Sequence, residues 1–286
     1  ASQKWIQELK DNDQFNQVKS IAVELYGSLS LTGIGHATDK AIILGLSGTD
    51  PEVIPVDSID GLIQTVTDSG DIQFGGERTI KFNVMEHLLF KKSFLDFHSN
   101  GMMFRALLED GSHLSETYYS IGGGFVVKDG QDQEESGIHE RGDLPFPIET
   151  GVELIGHCSR EGKTISQIVM QNELVWRSEE EVKFEIDRVW KTMFECMYIG
   201  CHSEGVLPGG LNVERRAFGL NNKLMNGLEY ADMNSWFESI RKLSNPFHKV
   251  IKWISCFALS INEVNASLGR VVTAPTNGSA GVIPAV

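Results

Sequence analysis

The sequence has 286 residues, of which 41% are hydrophobic and 22% charged, a composition typical of a soluble globular protein with room for two hydrophobic cores. Its formal net charge of −14 argues against nucleic acid as a partner, because no basic stripe exists to displace phosphate counterions. No apolar run approaches the roughly 20 residues of a membrane span, the opening residues carry no secretory signal, and four cysteines in so long a chain favour the reducing cytoplasm over a disulfide framework.

The first part of the chain is predicted to combine strands with one or two helices. Residues 18–25 (VKSIAVEL) alternate apolar and polar side chains, as a half-buried strand does. Residues 35–46 (GHATDKAIILGL) predict a short helix. The side chains expected to face inward from it are Ile42, Ile43 and Leu46. Asp110 and Gly111 stand between two strand-like runs and predict a hairpin.

A polar, charged and proline-interrupted stretch at residues 128–147 predicts a linker or a long surface loop. We therefore expect an α+β protein of two domains. An α/β domain would cover residues 1–130, a linker residues 131–149, and a helical domain residues 150–286.

The second half of the chain is predicted to be helical throughout, because the apolar spacing there changes from two to about three and a half residues. Ser178 and Glu181 form a capping box before one long helix, which is expected to reach Gly200. Its apolar stripe comprises Val182, Ile186, Val189, Trp190, Met193 and Met197. A second long helix is predicted from Asn245, with Pro246 in the first helical position. Its buried face is expected to comprise Val250, Ile251, Ile254, Phe257, Ala258 and Ile261.

A glycine-punctuated turn at residues 26–39 (YGSLSLTGIGHATD) is the first candidate for chemistry. Its glycines would let the backbone approach a ligand, and His36 could act as a general base or orient one. Hydroxyl groups come from Ser28, Ser30 and Thr32. The alternative is that His36 and Thr38 only cap the following helix.

His98 and Asn100 precede a strand-like run in FHSNGMMF. Two such residues in a strand would share a face and could both contact one substrate. The alternative is that Asn100 and Gly101 form only a turn.

Three glycines, residues 122–124, interrupt two strand-like runs in TYYSIGGGF. Glycines within a strand usually mark a bulge or the close approach of another group. A phosphate cradle is a weak alternative, because the helix of a P-loop and the spacing of a dinucleotide fingerprint are both missing.

The cysteines give only a weak indication of a metal site. Cys196 and Cys201 are five residues apart, as in some iron–sulfur ligand sets, but Cys158 and Cys256 stand alone. Cysteines on buried helix faces more often serve packing.

The last residues of the chain, RVVTAPTNGSAGVIPAV, place small polar residues before a helix-like segment. Backbone N–H groups in such a position suit a carboxylate or phosphate, which predicts an anion site at Thr276, Asn277, Gly278 and Ser279. Polar residues also stand near the ends of apolar helices, namely Glu173, Asn262, Glu263 and Asn265. They are either solvated helix ends or the lining of one cavity shared with this turn.

In order along the chain, these blocks resemble bacterial iron–sulfur L-serine dehydratases. The blocks are LYGSLSLTGIGHATDKAIILGL, HSNGM, TYYSIGGGF, MQNE, GVLPGGLNVERRA and NEVNASLGRVVTAPTNGSAGVIPAV. The resemblance implies an N-terminal α/β domain similar to the regulatory substrate-binding domain of phosphoglycerate dehydrogenases. It also implies a helical catalytic domain with a 4Fe-4S cluster and no pyridoxal phosphate. The resemblance also implies a segment before Ala1 and cluster cysteines mainly on helices that follow Val286. We therefore expect a central fragment of such an enzyme, truncated at the C-terminus and inactive alone.

The implied reaction converts L-serine to pyruvate and ammonia, with a cluster iron acting as a Lewis acid on the hydroxyl. The expected catalytic residues are His36, His98, Asn100 and Ser120. The expected substrate-binding residues are Thr276, Asn277, Gly278, Ser279 and Gly122. We expect no metal ligand in this chain, a homodimer, and no nucleic acid or membrane partner. The alternative function is a serine-binding regulatory module without catalysis, and a pyridoxal-dependent lyase ranks last because no lysine is clearly placed for a Schiff base.

Overall fold

The computed structural model describes residues 1–131, 144–208, 211–243, 246–273 and 277–286. The chain divides into two compact units, of which Ala1–Gly130 and Glu195–Val286 form the first and Gln131–Phe194 the second. A sheet comes first in the chain and a helical region follows it, which confirms the α+β class. The predicted domain limits and the similarity to the regulatory domain of phosphoglycerate dehydrogenases remain predictions.

A seven-stranded mixed sheet belongs to the first unit. Its strands are β1 (Val18–Leu25), β2 (Asp71–Phe74), β3 (Arg78–Lys81), β4 (Leu88–Phe90), β5 (Gly101–Leu108), β6 (His113–Gly122) and β7 (Phe125–Lys128). The order is β2-β3-β1-β5-β6-β7, and β4 also pairs with β1. Because β1 is parallel to β3 and β4 but antiparallel to β5, it joins the two halves of the sheet.

The strand and the hairpin predicted in this sheet are both confirmed. The large apolar side chains of β1 are buried, namely those of Val18, Ile21, Val23 and Leu25. Between β5 and β6, Gly111 adopts a φ of +86°, and the Asp110 carboxylate accepts a hydrogen bond from Ser112 N at 2.8 Å. A left-handed glycine and a short acceptor side chain together close the turn.

Five α-helices accompany the sheet within residues 1–131, so the prediction of one or two was too low. They are α1 (Ser2–Asp11), α2 (Ser28–Leu31), α3 (Thr38–Leu46), α4 (Ile59–Ser69) and α5 (Val84–His87). α1 packs on the sheet through Trp5, whose ring stacks on Phe104 with 5.1 Å between centroids. α3 matches the predicted helix, and it buries the three predicted side chains, Ile42, Ile43 and Leu46.

The second unit contains α6 (Gly151–Glu161), α7 (Ile165–Glu173) and the first part of α8 (Glu179–Cys201). The predicted capping box is confirmed, since Ser178 N donates to Glu181 Oε2 at 2.8 Å and Glu181 N donates to Ser178 Oγ at 3.3 Å. The predicted stripe of α8 is only partly buried. Its exposed members are Ile186, Val189 and Trp190, at 55%, 37% and 45%. Within the described part of this unit, only α6 and α7 are present to cover α8.

The remaining helices are α9 (Ala217–Met225), α10 (Met233–Lys242), α11 (Phe247–Ala266) and α12 (Val282–Ala285). Pro246 is the N-cap of α11 rather than its first helical residue, and Asn245 lies outside the described residues. The buried face of α11 is shifted from the predicted one: Val250 and Ile251 are exposed, and Ile254 and Ala258 are half-buried. The side chains that α11 buries are Trp253, Cys256, Phe257, Ser260, Ile261, Glu263 and Val264.

Candidate functional site

The segments that carry most of the predicted site residues lie at one edge of the sheet, where β1, β4 and β6 end and β5 begins. β1 and β4 are parallel, so both end at this edge. β5 begins there, and β6 ends there, because each is antiparallel to its neighbour. The turn after β1 carries His36, residues 91–100 carry His98 and Asn100, and the end of β6 carries Ser120 and Gly122. The topology therefore places residues from three distant stretches at the same edge.

Backbone hydrogen bonds join the turn after β1 to the 91–100 loop. Gly27 N donates to Ser93 O at 2.9 Å, and Ser28 N donates to Ser99 O at 2.8 Å. Gly27 has φ +55° and ψ −128°, and a Cβ at this position would lie 2.2 Å from the Ser99 carbonyl oxygen. Only glycine permits both this conformation and this close approach.

His98, Asn100 and Ser120 form a hydrogen-bonded group. Asn100 N donates to His98 Nδ1 at 3.1 Å, and Asn100 Nδ2 donates to Ser120 O at 3.1 Å. Ser120 N in turn donates to Asn100 O at 3.0 Å. Because a backbone N–H can only donate, Nδ1 of neutral His98 is the acceptor and Nε2 carries the proton. His98 and Asn100 lie in the loop before β5, so the premise that they share the face of a strand was wrong.

His36 ends a short 3-10 turn, Ile34–His36, and it is exposed. Its Nδ1 lies 2.8 Å from the Thr32 carbonyl oxygen. A carbonyl can only accept, so Nδ1 carries the proton and Nε2 of the neutral ring has a free lone pair. The N-cap of α3 is Ala37, and no side chain caps this helix. The alternative that His36 and Thr38 serve as caps is therefore wrong.

The three glycines connect β6 to β7 through a tight turn with a bulge. Their φ values are +100°, +60° and +85° for Gly122, Gly123 and Gly124. The register between β6 and β7 shifts between Ser120 and Gly122, which confirms the predicted bulge. A Cβ built on Gly122 or Gly124 would meet nothing within 4 Å. These glycines are therefore required by the backbone conformation rather than by close approach of another group.

A charged cluster that the sequence did not indicate lies at the same edge. Glu24 of β1 is buried, and its carboxylate accepts from Tyr26 OH at 2.5 Å. Burial alone would raise the pKa of Glu24, but the Tyr26 hydroxyl, Arg105 and Lys91 together hold it below its usual range. Burial and the Glu24 carboxylate raise the pKa of Tyr26 to about 12, so its phenol is neutral at physiological pH. In the sequence, the one feature that could have indicated this charged cluster was a glutamate, Glu24, among the apolar residues of β1.

Of the predicted anion site, Thr276 lies outside the described residues, whereas Asn277, Gly278 and Ser279 form a 3-10 turn. The Asn277 side chain accepts from Thr273 Oγ1 at 2.5 Å, and Ala280, which follows the turn, is buried. A carboxylate site at this turn remains a prediction.

Glu263 is buried, and its Oε1 accepts from Arg216 N at 2.7 Å and from Ala217 N at 3.3 Å. It therefore caps α9, and the alternative that it is a solvated helix end was wrong. A buried carboxylate at the positive end of a helix satisfies N–H groups that the helix itself cannot.

The described cysteines do not form a ligand set for a 4Fe-4S cluster. Cys201 and Cys256 lie together, with 3.8 Å between the sulfurs, and burial raises the pKa of Cys196 to about 12. The hydrogen bond with Cys256, reinforced by burial, raises the pKa of Cys201 as well. Cluster ligands are thiolates. Among the described residues, no three His, Cys, Asp or Glu side chains converge as a metal site requires.

None of the described helices combines the length and the apolar character that crossing a membrane requires.

Two family models match the chain: the serine dehydratase beta chain over residues 1–131 and the serine dehydratase alpha chain over residues 160–286. The chain is 41% identical over 290 residues to an L-serine dehydratase of Haemophilus influenzae. It is 40% identical over 289 residues to L-serine dehydratase 1 of Escherichia coli, and 38% identical over 288 residues to an L-serine dehydratase of Streptomyces coelicolor. All of this chain is covered in these comparisons, but it spans only 60% of the length of these relatives.

Proposed function

The chain belongs to the serine dehydratase family, and on that premise we propose that it acts in the conversion of L-serine to pyruvate and ammonia. The observation that carries the proposal is the hydrogen-bonded group of His98, Asn100 and Ser120, which lies at the same sheet edge as the turn bearing His36. The relatives named L-serine dehydratase support this choice of substrate.

The two histidines are proposed to have opposite roles, which their hydrogen bonds support. Neutral His36 donates through Nδ1, so its Nε2 lone pair is available to remove the α-proton of serine. Neutral His98 accepts through Nδ1, so its Nε2–H can donate to the substrate hydroxyl. The α-proton passes to His36, and the hydroxyl leaves as water when it takes a proton back from the His36 imidazolium, so that an enamine remains. The enamine tautomerises to an imine, and the imine is hydrolysed to pyruvate and ammonia.

The serine carboxylate is proposed to bind at Thr276, Asn277, Gly278 and Ser279, with Gly122 as a further contact. Backbone N–H groups in a short turn are suited to a carboxylate because they place several donors on one side. The 4Fe-4S cluster implied by the resemblance is a separate proposal, and its ligands are not found among the described cysteines. A homodimer and a cytoplasmic location also remain proposals.

The test measures pyruvate formation from L-serine by the full-length gene product. Pyruvate is detected through its reduction in a coupled reaction. Replacement of His36 with Gln is expected to lower kcat/KM by about 100-fold or more, because a general base contributes on that order. His113→Gln is the matched control, since His113 is an exposed histidine at the start of β6. Full activity in H36Q would contradict the role of His36, and no pyruvate from the wild type would contradict the proposed function.

A second measurement separates catalysis from the regulatory alternative. We expect the 286-residue chain by itself to release heat on titration with L-serine but to form no pyruvate. If the full-length product also binds serine without turnover, the serine-binding regulatory module is the better description. If neither preparation binds serine, both functions are excluded.

A further inference from the structure

Glu24 is a buried carboxylate at the edge of the sheet where the candidate site lies. It is 5% exposed, and it is the residue before the last one of β1. Its Oε2 accepts from Tyr26 OH at 2.5 Å and from Arg105 Nη2 at 3.3 Å, and its Oε1 lies 3.4 Å from Lys91 Nζ. A carboxylate at this depth is costly unless it is paired, so its partners indicate what it does.

Two of these partners, Lys91 and Tyr26, stand where the two loops of the site begin, and the third, Arg105, lies within β5. Lys91 is the first residue after β4, and its backbone N donates to Leu25 O at 2.9 Å. Arg105 lies on β5, which follows the loop, and Tyr26 opens the turn that leads to His36. One carboxylate therefore connects the start of the 91–100 loop, through Lys91, to the turn after β1, through Tyr26, and to Arg105 within β5.

The connection depends on the negative charge of Glu24. Arg105 and Lys91 approach the same carboxylate, so loss of its charge would leave two neighbouring cations repelling each other. Tyr26 would keep only an uncharged and therefore weaker acceptor for its hydroxyl proton. Both effects would weaken the hold of β1 on Lys91 and so on the start of the 91–100 loop.

We propose that Glu24 is a positioning residue, which holds the 91–100 loop against the turn after β1 and thereby fixes His98 and Asn100 relative to the turn of His36. The inference rests on the proposed function, because the position of these side chains matters for the dehydration of L-serine. Glu24 itself takes no part in the proton transfers.

The test compares Glu24→Gln with Glu8→Gln in the full-length gene product. Gln has nearly the same shape as Glu but no charge. Glu8 is a close match, since it accepts from Tyr118 OH at 2.8 Å and from Lys128 Nζ at 2.7 Å, but it links α1 to β6 and β7. Hydrogen exchange of peptides covering residues 26–31 and 88–100 reports on the loop directly. We expect exchange at least about tenfold faster in E24Q than in the wild type, and no such change in E8Q.

Kinetics provide the second readout. E24Q is expected to lower kcat for L-serine by at least about tenfold, because small misplacements of catalytic groups are costly. KM should change less, since the proposed carboxylate-binding turn is untouched. Equal exchange in E24Q and E8Q would overturn the proposal, and so would a loss confined to KM.

The two proposals fail separately. If the wild type forms no pyruvate, the proposed function fails, but hydrogen exchange still decides whether Glu24 holds the loop. If E24Q does not fold, Lys91→Met is the second variant. It removes the ion pair between Lys91 and Glu24 by changing Lys91, which is the more exposed partner. Faster exchange of residues 88–100 in K91M is then expected, and unchanged exchange would refute the positioning role.

Discussion

The side chain and the backbone of Asn100 are both bonded to Ser120. Asn100 Nδ2 donates to Ser120 O at 3.1 Å, and Ser120 N donates to Asn100 O at 3.0 Å. The pair extends the ladder between β5 and β6 by one step beyond Gly101 and Tyr119. Asn100, although it lies in a loop, is therefore fixed by two hydrogen bonds to the neighbouring strand, much as a strand residue is.

Replacing Asn100 with Ala is expected to reduce activity more than stability. The loss of one hydrogen bond should lower the free energy of unfolding by about 1 kcal/mol, whereas kcat/KM for L-serine should fall at least about tenfold. Urea denaturation and the pyruvate assay measure the two effects. Asn83→Ala is the control, because Asn83 caps α5 by accepting from Met85 N at 3.0 Å. That variant should lose about 1 kcal/mol of stability and keep its activity.

Gly27→Ala should separate the turn after β1 from the 91–100 loop, because its Cβ would lie 2.2 Å from Ser99 O. We expect a loss of unfolding free energy of more than about 3 kcal/mol, since the steric conflict adds to a backbone strain of about 1–3 kcal/mol. Gly70→Ala is the control. Gly70 has a φ of +65°, and nothing lies within 4 Å of its Cβ position, so only the strain applies. Equal losses of unfolding free energy in the two variants, measured by thermal or urea denaturation, would show that the contact between position 27 and Ser99 O has no effect on stability.

The four cysteines should differ in their reactivity towards a thiol reagent. Cys158 is partly exposed, whereas Cys196, Cys201 and Cys256 are buried. Burial raises the pKa of Cys196 to about 12, which leaves little thiolate at neutral pH. A chromogenic disulfide reagent should therefore label one thiol quickly in the native protein and the other three only on unfolding. Cys158→Ser should abolish the fast phase, and a fast phase that survives this change would contradict the burial of the others.

Glu263→Ala should destabilise the protein more than the loss of an exposed cap does. It would leave the buried N–H of Ala217 without its acceptor, at a cost of about 1–3 kcal/mol, and it would remove a favourable charge from the helix end. Asp232→Ala is the control, since Asp232 caps α10 from an exposed position by accepting from Ser235 N at 2.7 Å. We expect about 1 kcal/mol for this control. Denaturant unfolding of both variants measures the difference, and similar losses would argue against burial of the Glu263 cap.

The stabilising effect of Glu24 should disappear in acid. Its pKa is lower in the folded protein than its ordinary value, because Tyr26, Arg105 and Lys91 outweigh the opposing effect of burial. The folded state therefore favours the charged form. The resulting stability is present above the unfolded pKa of about 4.3 and is lost as the pH falls through the folded value. The difference in unfolding free energy between the wild type and E24Q should be largest near neutral pH and should shrink below about pH 4. A difference independent of pH would contradict this.

Elements that depend on local spacing could be predicted from the sequence. The alternation of residues 18–25, the spacing of residues 35–46 and the pair Asp110-Gly111 were sufficient for β1, α3 and a hairpin. The capping box at Ser178 was equally local. In each case the residues that decide the structure lie within a few positions of one another, so the chain carries the information without its tertiary contacts.

Predictions about burial were weaker, because burial depends on which neighbour is present. The apolar stripe of α8 has the right spacing, yet Ile186 is more than half exposed. The face of α11 shifted towards Trp253 and Cys256 for the same reason. Amphipathic spacing identifies a helix and one apolar face, but it does not determine how far along the helix that face is covered.

The fold class, several element boundaries and the likeness to serine dehydratases could be deduced from the amino-acid order alone, since they depend on local pattern and on blocks of matching residues. Which candidate residues contact one another became known only from the folded chain. It joined Asn100 to Ser120 across 20 positions and joined Glu24 to Arg105 across 81. It also assigned the neutral tautomers of His36 and His98 through the groups that face their Nδ1 atoms. These relationships follow from strand pairing, which brings distant residues together at one edge of the sheet and cannot be deduced from spacing along the chain.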